Sequence, residues 1–350
     1  MTNQAGIGRS VWGPGLGPSL ARVVLLPLAG VYGAAMTVRL AAYRGGLFSI
    51  RRLPLPTVAV GNLVVGGTGK TPIAAWIAAH YAGRGLRPGI LLRGYGGDET
   101  LVHQRLVREA IVVANPDRVA GAERARSLGA TVLVLDDAFQ LLGVARDLNV
   151  LVVSAEGAEA APWLLPAGPW RERWSALERA NVIVVTRKRI GPEEAGHVGD
   201  RLGEKCPRAL VAVANLGLDR FDRMSSGGSV QGEALAGRRV LVAAGIADPE
   251  TFAAQVARFG AKVQLQPYQD HHPYSATDVA RLVQAAQSAD YVVVTEKDAV
   301  KLRGRWPAPA GAGGEPLVAA LGVHWERNGH LFEQALDAAV RPTGVPVSEA

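Results

Sequence analysis

Lys70 and Thr71 stand directly behind a glycine-dense turn of Gly66, Gly67, Thr68 and Gly69. An apolar run, Thr57 to Leu63, precedes that turn, and a helical pattern, Ile73 to Arg84, follows it. Strand, glycine turn, Lys-Thr and helix are the parts of a phosphate-binding loop. Small residues let backbone N–H groups point at phosphate oxygens, the helix N-terminus adds partial positive charge, and the lysine reaches the outer phosphates. The strict motif places glycine six residues before the lysine, where this chain has Val64. A glycine turn alone more often serves backbone geometry. Lys-Thr at a strand-to-helix junction is what turns the reading toward a nucleotide such as ATP.

Three further groups could complete phosphate chemistry. Asp136 and Asp137 follow the run Thr131–Leu135, and carboxylates at the end of a buried strand can hold Mg²⁺ beside such a loop. The structural alternative is an acidic turn that caps the next helix. Arg93 to Glu99 is a second glycine cluster after a strand, with Asp98 at its end; a lone aspartate in a turn is usually structural. Pro166 to Arg173 mixes turn residues with arginines that could clamp phosphate and with Glu172, which could support Mg²⁺; alone it could equally be a surface loop. In Asp270-His271-His272, neighbouring histidines would diverge on any regular element and no cysteine stands nearby. Proton transfer therefore suits them better than a zinc site, and a satisfied loop histidine is the alternative.

These residues need a scaffold, and the pattern around them supplies one. Apolar runs at Gly89–Leu92, Ile111–Ala114, Thr131–Leu135, Val150–Val153, Val182–Val185 and Leu210–Ala214 alternate with helical stretches such as Ala120–Leu128 and Glu193–Glu204. Continuous apolar runs between helices predict an α/β fold, a mostly parallel sheet with helices on both faces. The Ser/Gly-rich stretch within Phe221–Gly237 reads as a turn or hinge, and a second, smaller α/β block follows it. The domains expected are a mobile 1–19, an N-terminal helical segment 20–52, a nucleotide-binding domain 53–225 and a C-terminal domain 236–345. Thr295 to Lys301 follows a buried strand, and the sequence assigns it no role.

Bulk properties narrow the partners. With 350 residues, 48% hydrophobic and 20% charged, the chain is long and apolar enough for a substantial core. The single cysteine, Cys206, excludes an internal disulfide and a cysteine-based metal cluster, and it fits a reducing compartment. A net charge of +7 suits phosphorylated substrates or anionic lipid. Without zinc knuckles, aromatic-glycine RNA motifs or a dense basic helix, nucleic acid is the poorest fit. Between Arg22 and Arg39 lie 16 uncharged residues, short of the roughly 20 that span a bilayer. Arg22, Arg39, Arg44, Arg51 and Arg52 flank the run, as an interfacial helix on an anionic membrane surface requires; a helix buried against the domain is the alternative.

In order, V-G-N-L-V-V-G-G-T-G-K-T-P, L-R-G-Y-G-G, L-D-D-A-F-Q, L-P-A-G-P-W-R-E, D-H-H and V-T-E-K-D-A-V-K resemble the tetraacyldisaccharide 4′-kinase family, over roughly Leu20 to Leu302. The resemblance implies a P-loop kinase at the cytoplasmic face of the bacterial inner membrane. It would move the ATP γ-phosphate, with Mg²⁺, to the 4′-hydroxyl of a tetraacyl disaccharide 1-phosphate, giving lipid IVA for lipid A. No obligate protein partner is implied. Asp98 matches the catalytic base of the family's G-D-E motif and His271 its partner histidine. Lys70 and Thr71 keep their loop roles, Asp136 and Asp137 match the acidic pair near Mg²⁺, and Glu172 matches the glutamate of the P-A-G-x-x-R-E motif. On this reading Asp98 and His271 come from different domains and meet in a cleft.

Family members also lack the first glycine of the loop, so Val64 is in keeping with it. Two departures stand out. R-G-Y-G-G and G-D-E are fused through Gly97 where members usually carry an insert, which shortens the loop before Asp98. Ala138 replaces the glycine of D-D-G-F-Q; were that position left-handed, alanine would cost about 1 kcal/mol or more. Competing readings are a membrane-recruited ATPase switch and a kinase for a soluble small molecule.

Overall fold

The structure, a computed structural model, describes residues 12–13, 15–94, 98–158, 161–270, 272–307 and 314–341, with only the backbone of Asp98 and Glu99. The described residues form two compact units: 23–94, 103–214 and 325–341 in the first, and 15–22, 98–102 and 215–324 in the second.

The chain opens with α1 (Leu16–Arg44), β1 (Thr57–Gly61), α2 (Lys70–Gly83), β2 (Pro88–Leu92), α3 (Asp98–Leu106) and β3 (Ile111–Ala114). It continues through α4 (Arg118–Ser127), β4 (Val132–Leu135), β5 (Leu148–Ser154), β6 (Val182–Arg187), α5 (Pro192–Lys205) and β7 (Leu210–Arg223). The first unit's strands run in the order β7-β6-β5-β1-β4-β2-β3, with parallel pairing from β6 to β3. Every residue of β1, β2 and β4 is buried, the expected state of a parallel strand covered on both faces. One core joins Leu151, Val153, Ile183 and Val185 to Val198 and Leu202 of α5. Another joins Ala59, Leu91, Leu133 and Leu135 to Ala122 and Ala125 of α4. Local chemistry starts the helices: Asp117 accepts from the Val119 and Ala120 N–H groups at α4, and Pro192 opens α5 ahead of Glu193 and Glu194.

β7 continues to Arg223, beyond the Ala214 at which the apolar run stops. The expected turn then follows with Gly227 and Gly228 at positive φ, and β8 (Ser229–Val230) folds back antiparallel, Phe221 opposite Val230. Next come β9 (Arg239–Ala244), α6 (Pro249–Ala257), β10 (Lys262–Pro267), α7 (Ala276–Ala286), β11 (Tyr291–Thr295), α8 (Glu296–Leu302), β12 (Leu317–Arg327) and α9 (Gly329–Ala339). In the second unit β10-β9-β11-β12 pair in parallel. Strand alternation divides its two cores: Leu241, Ala243, Val292 and Val294 face one, Val240, Val242, Ala244 and Val293 the other. Sequence patterning missed α3, α8 and β12. The first two are shorter than the roughly 11-residue window over which helical periodicity can be read, and β12 lies beyond a Pro/Gly-rich stretch.

Asp298 explains Thr295–Lys301. Thr295 caps α8, and the fully buried Asp298 carboxylate accepts from the Gly245 N–H (3.1 Å), the Tyr274 hydroxyl (2.9 Å) and the Thr295 hydroxyl (2.6 Å). The segment is a knot that ties the loop after β9 to Tyr274. Burial dominates there and raises the Asp298 pKa despite those donors.

α1 is 29 residues long and is long and apolar enough to cross a membrane by length and composition. It has two faces. Ala29 and Gly33 are buried and Leu25 and Tyr32 pack on the first unit's core, with the Tyr32 hydroxyl donating to the Arg171 carbonyl (3.0 Å). Leu20, Val24, Leu28, Val31 and Val38 are exposed. The expectation of a helix buried against the domain describes the inner face, and the outer face is apolar and exposed.

At the end of β1, a Cβ on Gly61 would lie 2.6 Å from both Cβ and N of Phe139. Gly61→Ala should therefore lower unfolding free energy by about 1–3 kcal/mol in urea titration, the usual range for overpacking.

Candidate active site

The entrance of the loop after β1 is held by the segment Pro169–Arg171. Val64 lies in a β-bridge with Trp170, the Arg171 N–H donates to the Leu63 carbonyl (2.7 Å), and the Val65 N–H donates to the Pro169 carbonyl (2.8 Å). Pro166–Arg173 is thus packed against the loop's entrance with Ala167 and Trp170 buried, and is not a surface loop. Extended and laddered, Val64 has no need of glycine. Gly66 (φ 123°) and Gly69 (φ 92°) do lie in the region that favours glycine, and Gly69 is the N-cap of α2, with Lys70 and Thr71 in its first turn. Asn62 Nδ2 donates to Thr68 Oγ1 (2.9 Å), Thr186 Oγ1 to the Thr68 carbonyl (2.7 Å) and Lys188 Nζ to the Gly67 carbonyl (2.8 Å).

Asp136 and Asp137 end β4 beside this loop but have different tasks. Asp136 is buried; its Oδ1 accepts from the Asp137 N–H (2.8 Å) and its Oδ2 from His103 Nε2 (2.9 Å), while Thr71 Oγ1 lies 3.5 Å from that second oxygen. Burial pushes the Asp136 pKa up. The His103 hydrogen bond and charge, Lys70 and the Asp137 N–H outweigh it and hold the carboxyl below its ordinary range. Asp137 sits at φ 52°, and its Oδ1 accepts from Arg171 Nη1 (2.8 Å) and lies 3.6 Å from Lys70 Nζ. The left-handed residue is therefore Asp137, whose short polar side chain tolerates that region, and Ala138 avoids the anticipated strain. Buried, Ala138 donates its N–H to the Val60 carbonyl (2.8 Å).

Glu172 is not gathered with Asp136 and Thr71. Its oxygens take the Arg179 guanidinium at 2.6 and 2.8 Å and Gln140 Nε2 at 3.1 Å, and Arg179 also lies over the Phe139 ring. The glutamate clasps the Asp-Asp-Ala-Phe-Gln segment from behind. The backbone of Asp98 begins α3, but its side chain and the whole of His271 lie outside the described residues. Next to His271 in sequence, His272 Nε2 pairs with Asp278 (3.0 Å). Sequence reasoning overlooked His103 and Asn62. Thr186 and Lys188 belong to the run Asn181–Arg189, whose charged groups the sequence places just past a buried strand, where open sheets keep their ligand sites. Asn62 lay within the quoted motif, and nothing in the helix pattern marked His103.

The family model described as tetraacyldisaccharide-1-P 4′-kinase matches residues 21–341. The chain belongs to this family. As a family member it is a kinase that phosphorylates the 4′ position of tetraacyldisaccharide 1-phosphate at the expense of ATP, in lipid A biosynthesis. Similar proteins include the tetraacyldisaccharide 4′-kinases of Anaeromyxobacter dehalogenans strain 2CP-1, 36% identical over 93% of both chains, and of Aromatoleum aromaticum, 36% identical over 81% of this chain and 85% of that one. Among solved structures, Aquifex aeolicus LpxK in complex with ATP superimposes with a TM-score of 0.75 at 26% identity, covering 91% of this chain and 99% of that one. The readings as an ATPase switch or a soluble-substrate kinase are set aside.

In this kinase, removing Glu172 would strand Arg179 without its carboxylate in a mostly buried site. Glu172→Ala should lose about 3–5 kcal/mol in chemical denaturation, the usual result of breaking a buried pair. Unchanged stability with lost activity would return Glu172 to the metal.

Proposed function

We propose that phosphoryl transfer runs on the loop Gly66–Thr71 and the two aspartates beside it. The amides of Gly66, Gly67, Thr68 and Gly69 cradle the β- and γ-phosphates of ATP, and Lys70, which rests near Asp137, turns to the phosphates when they arrive. The observation that carries this reading is the approach of Thr71 to Asp136 at the mouth of α2.

Mg²⁺ fits there. Such an ion takes one or two carboxylates and hydroxyls plus substrate phosphates, and Thr71 Oγ1 and Asp136 Oδ2, 3.5 Å apart, are a hydroxyl and a carboxylate of that kind. Among the described residues no group of three or more His, Cys, Asp or Glu offers an all-protein cage. When bound, Mg²⁺ neutralises charge developing on the transferred phosphate. Thr71 and Asp136 would hold it directly, while Asp137, engaged by Arg171 and Lys70, supports it from outside.

Asp98 takes the proton of the 4′-hydroxyl and His271 orients that carboxylate; these roles rest on the motif resemblance. The exposed face of α1, with Arg22, Arg39, Arg44, Arg51 and Arg52 around it, docks on anionic lipid at the cytoplasmic face of the inner membrane.

Asp98→Ala should lower kcat by about 10²–10⁴, read as the mass of bisphosphorylated product, while a fluorescent ATP analogue still binds. Lys70→Ala should weaken both. Near-normal turnover of Asp98→Ala removes Asp98 from the base role. Changing Val24, Leu28 and Val31 to aspartate spares the packed face of α1 and should move the enzyme from membrane to soluble fractions; continued membrane association would place docking elsewhere.

A further inference from the structure

His103 is a fully buried histidine whose polar contact among the described residues is with Asp136: Nε2 meets Oδ2 at 2.9 Å, and Nδ1 is buried with no hydrogen-bond partner among those residues. An ionised carboxylate only accepts, so the proton of this bond lies on Nε2. The unmatched Nδ1 makes histidine a poor choice for packing alone, because an aliphatic side chain would bury no polar atom there. What the imidazole adds is the bond to Asp136.

That bond is placed to matter. A carboxylate beside a phosphate loop can rotate about its own side chain and offer either oxygen to the loop. Here Oδ1 is pinned by the Asp137 N–H and Oδ2 by His103, and the pinned oxygen is the one that faces Thr71 Oγ1. One lone-pair direction of Oδ2 goes to the imidazole and the other stays toward Thr71.

We propose that His103 is a positioning residue of this kinase, locking Asp136 in the rotamer that presents Oδ2 beside Thr71. The inference rests on the reading of Asp136 as the Mg²⁺-side carboxylate. Groups that orient a metal's carboxylate from behind typically change metal affinity by about 10–100-fold when removed.

The test titrates Mg²⁺ against binding of a fluorescent ATP analogue and, in parallel, against kcat and KM for the lipid. His103→Leu should raise the Mg²⁺ concentration for half-maximal binding by about 10–100-fold and lower kcat, leaving KM for the lipid unchanged. His103→Gln, whose amide nitrogen reaches about as far as Nε2, should recover most of that shift, which a packing role would not predict. Should the leucine variant not fold, His103→Asn withdraws the donor while keeping a polar side chain and takes its place. Wild-type Mg²⁺ dependence in the leucine or asparagine variant, or a glutamine variant as defective as leucine, overturns the proposal. Asp136→Asn separates the two levels. If it shifts the Mg²⁺ dependence and His103→Leu does not, His103 alone is wrong; if it does not, the reading of Asp136 falls with it.

Discussion

A carboxylate at the end of a buried parallel strand stays charged only if donors and cations replace the water it has lost. Asp136 meets that condition through His103, Lys70 and the N–H of its own neighbour. Much of the surrounding arrangement follows from it. α3 supplies the imidazole and α2 the lysine and the threonine, and the left-handed turn at Asp137 sends the second carboxylate to Arg171 and Lys70. Two adjacent aspartates thus do different work because the backbone changes hand between them.

The phosphate loop is the counterpart of that carboxylate. Its glycines would leave it pliable, and pliability is a poor quality in groups meant to hold phosphate. Side chains at neighbouring strand ends restrain it, Asn62 on Thr68, Thr186 on the Thr68 carbonyl and Lys188 on the Gly67 carbonyl, and the backbone of Pro169–Arg171 pairs with that of Leu63–Val65. The bonds from those side chains fall on carbonyl and hydroxyl groups, and within the loop the Thr68 N–H donates to the Gly66 carbonyl (2.9 Å). Glu172, with Arg179, steadies the next segment in turn.

α1 follows a different rule. Its inner face of Leu25, Ala29, Tyr32 and Gly33 follows the spacing of a helix packed on one side, and a Cβ on Gly33 would meet Leu164 at 2.8 Å. Its outer face is apolar as well, which water alone does not favour. A helix apolar on both faces, packed on one and ringed by arginines, suits an enzyme whose substrate is a lipid.

What the sequence determined by itself were the features that depend on local order. The phosphate loop, the strand-helix alternation and the family motifs are written in neighbouring residues, and the strand ends carrying Asp136 and Thr186 follow from the rule that open sheets keep their sites there. Tertiary structure decided the rest. It explained Val64 through Trp170, more than a hundred residues away, and moved the backbone strain from Ala138 to Asp137. It also gave Glu172 to Arg179, made Asp298 a knot, and brought His103 to Asp136 across 33 positions of chain. Periodicity shows which face of an element is buried, but not which distant polar group shares that interior. A buried hydrogen bond is settled only when the chain closes and each donor has to find an acceptor.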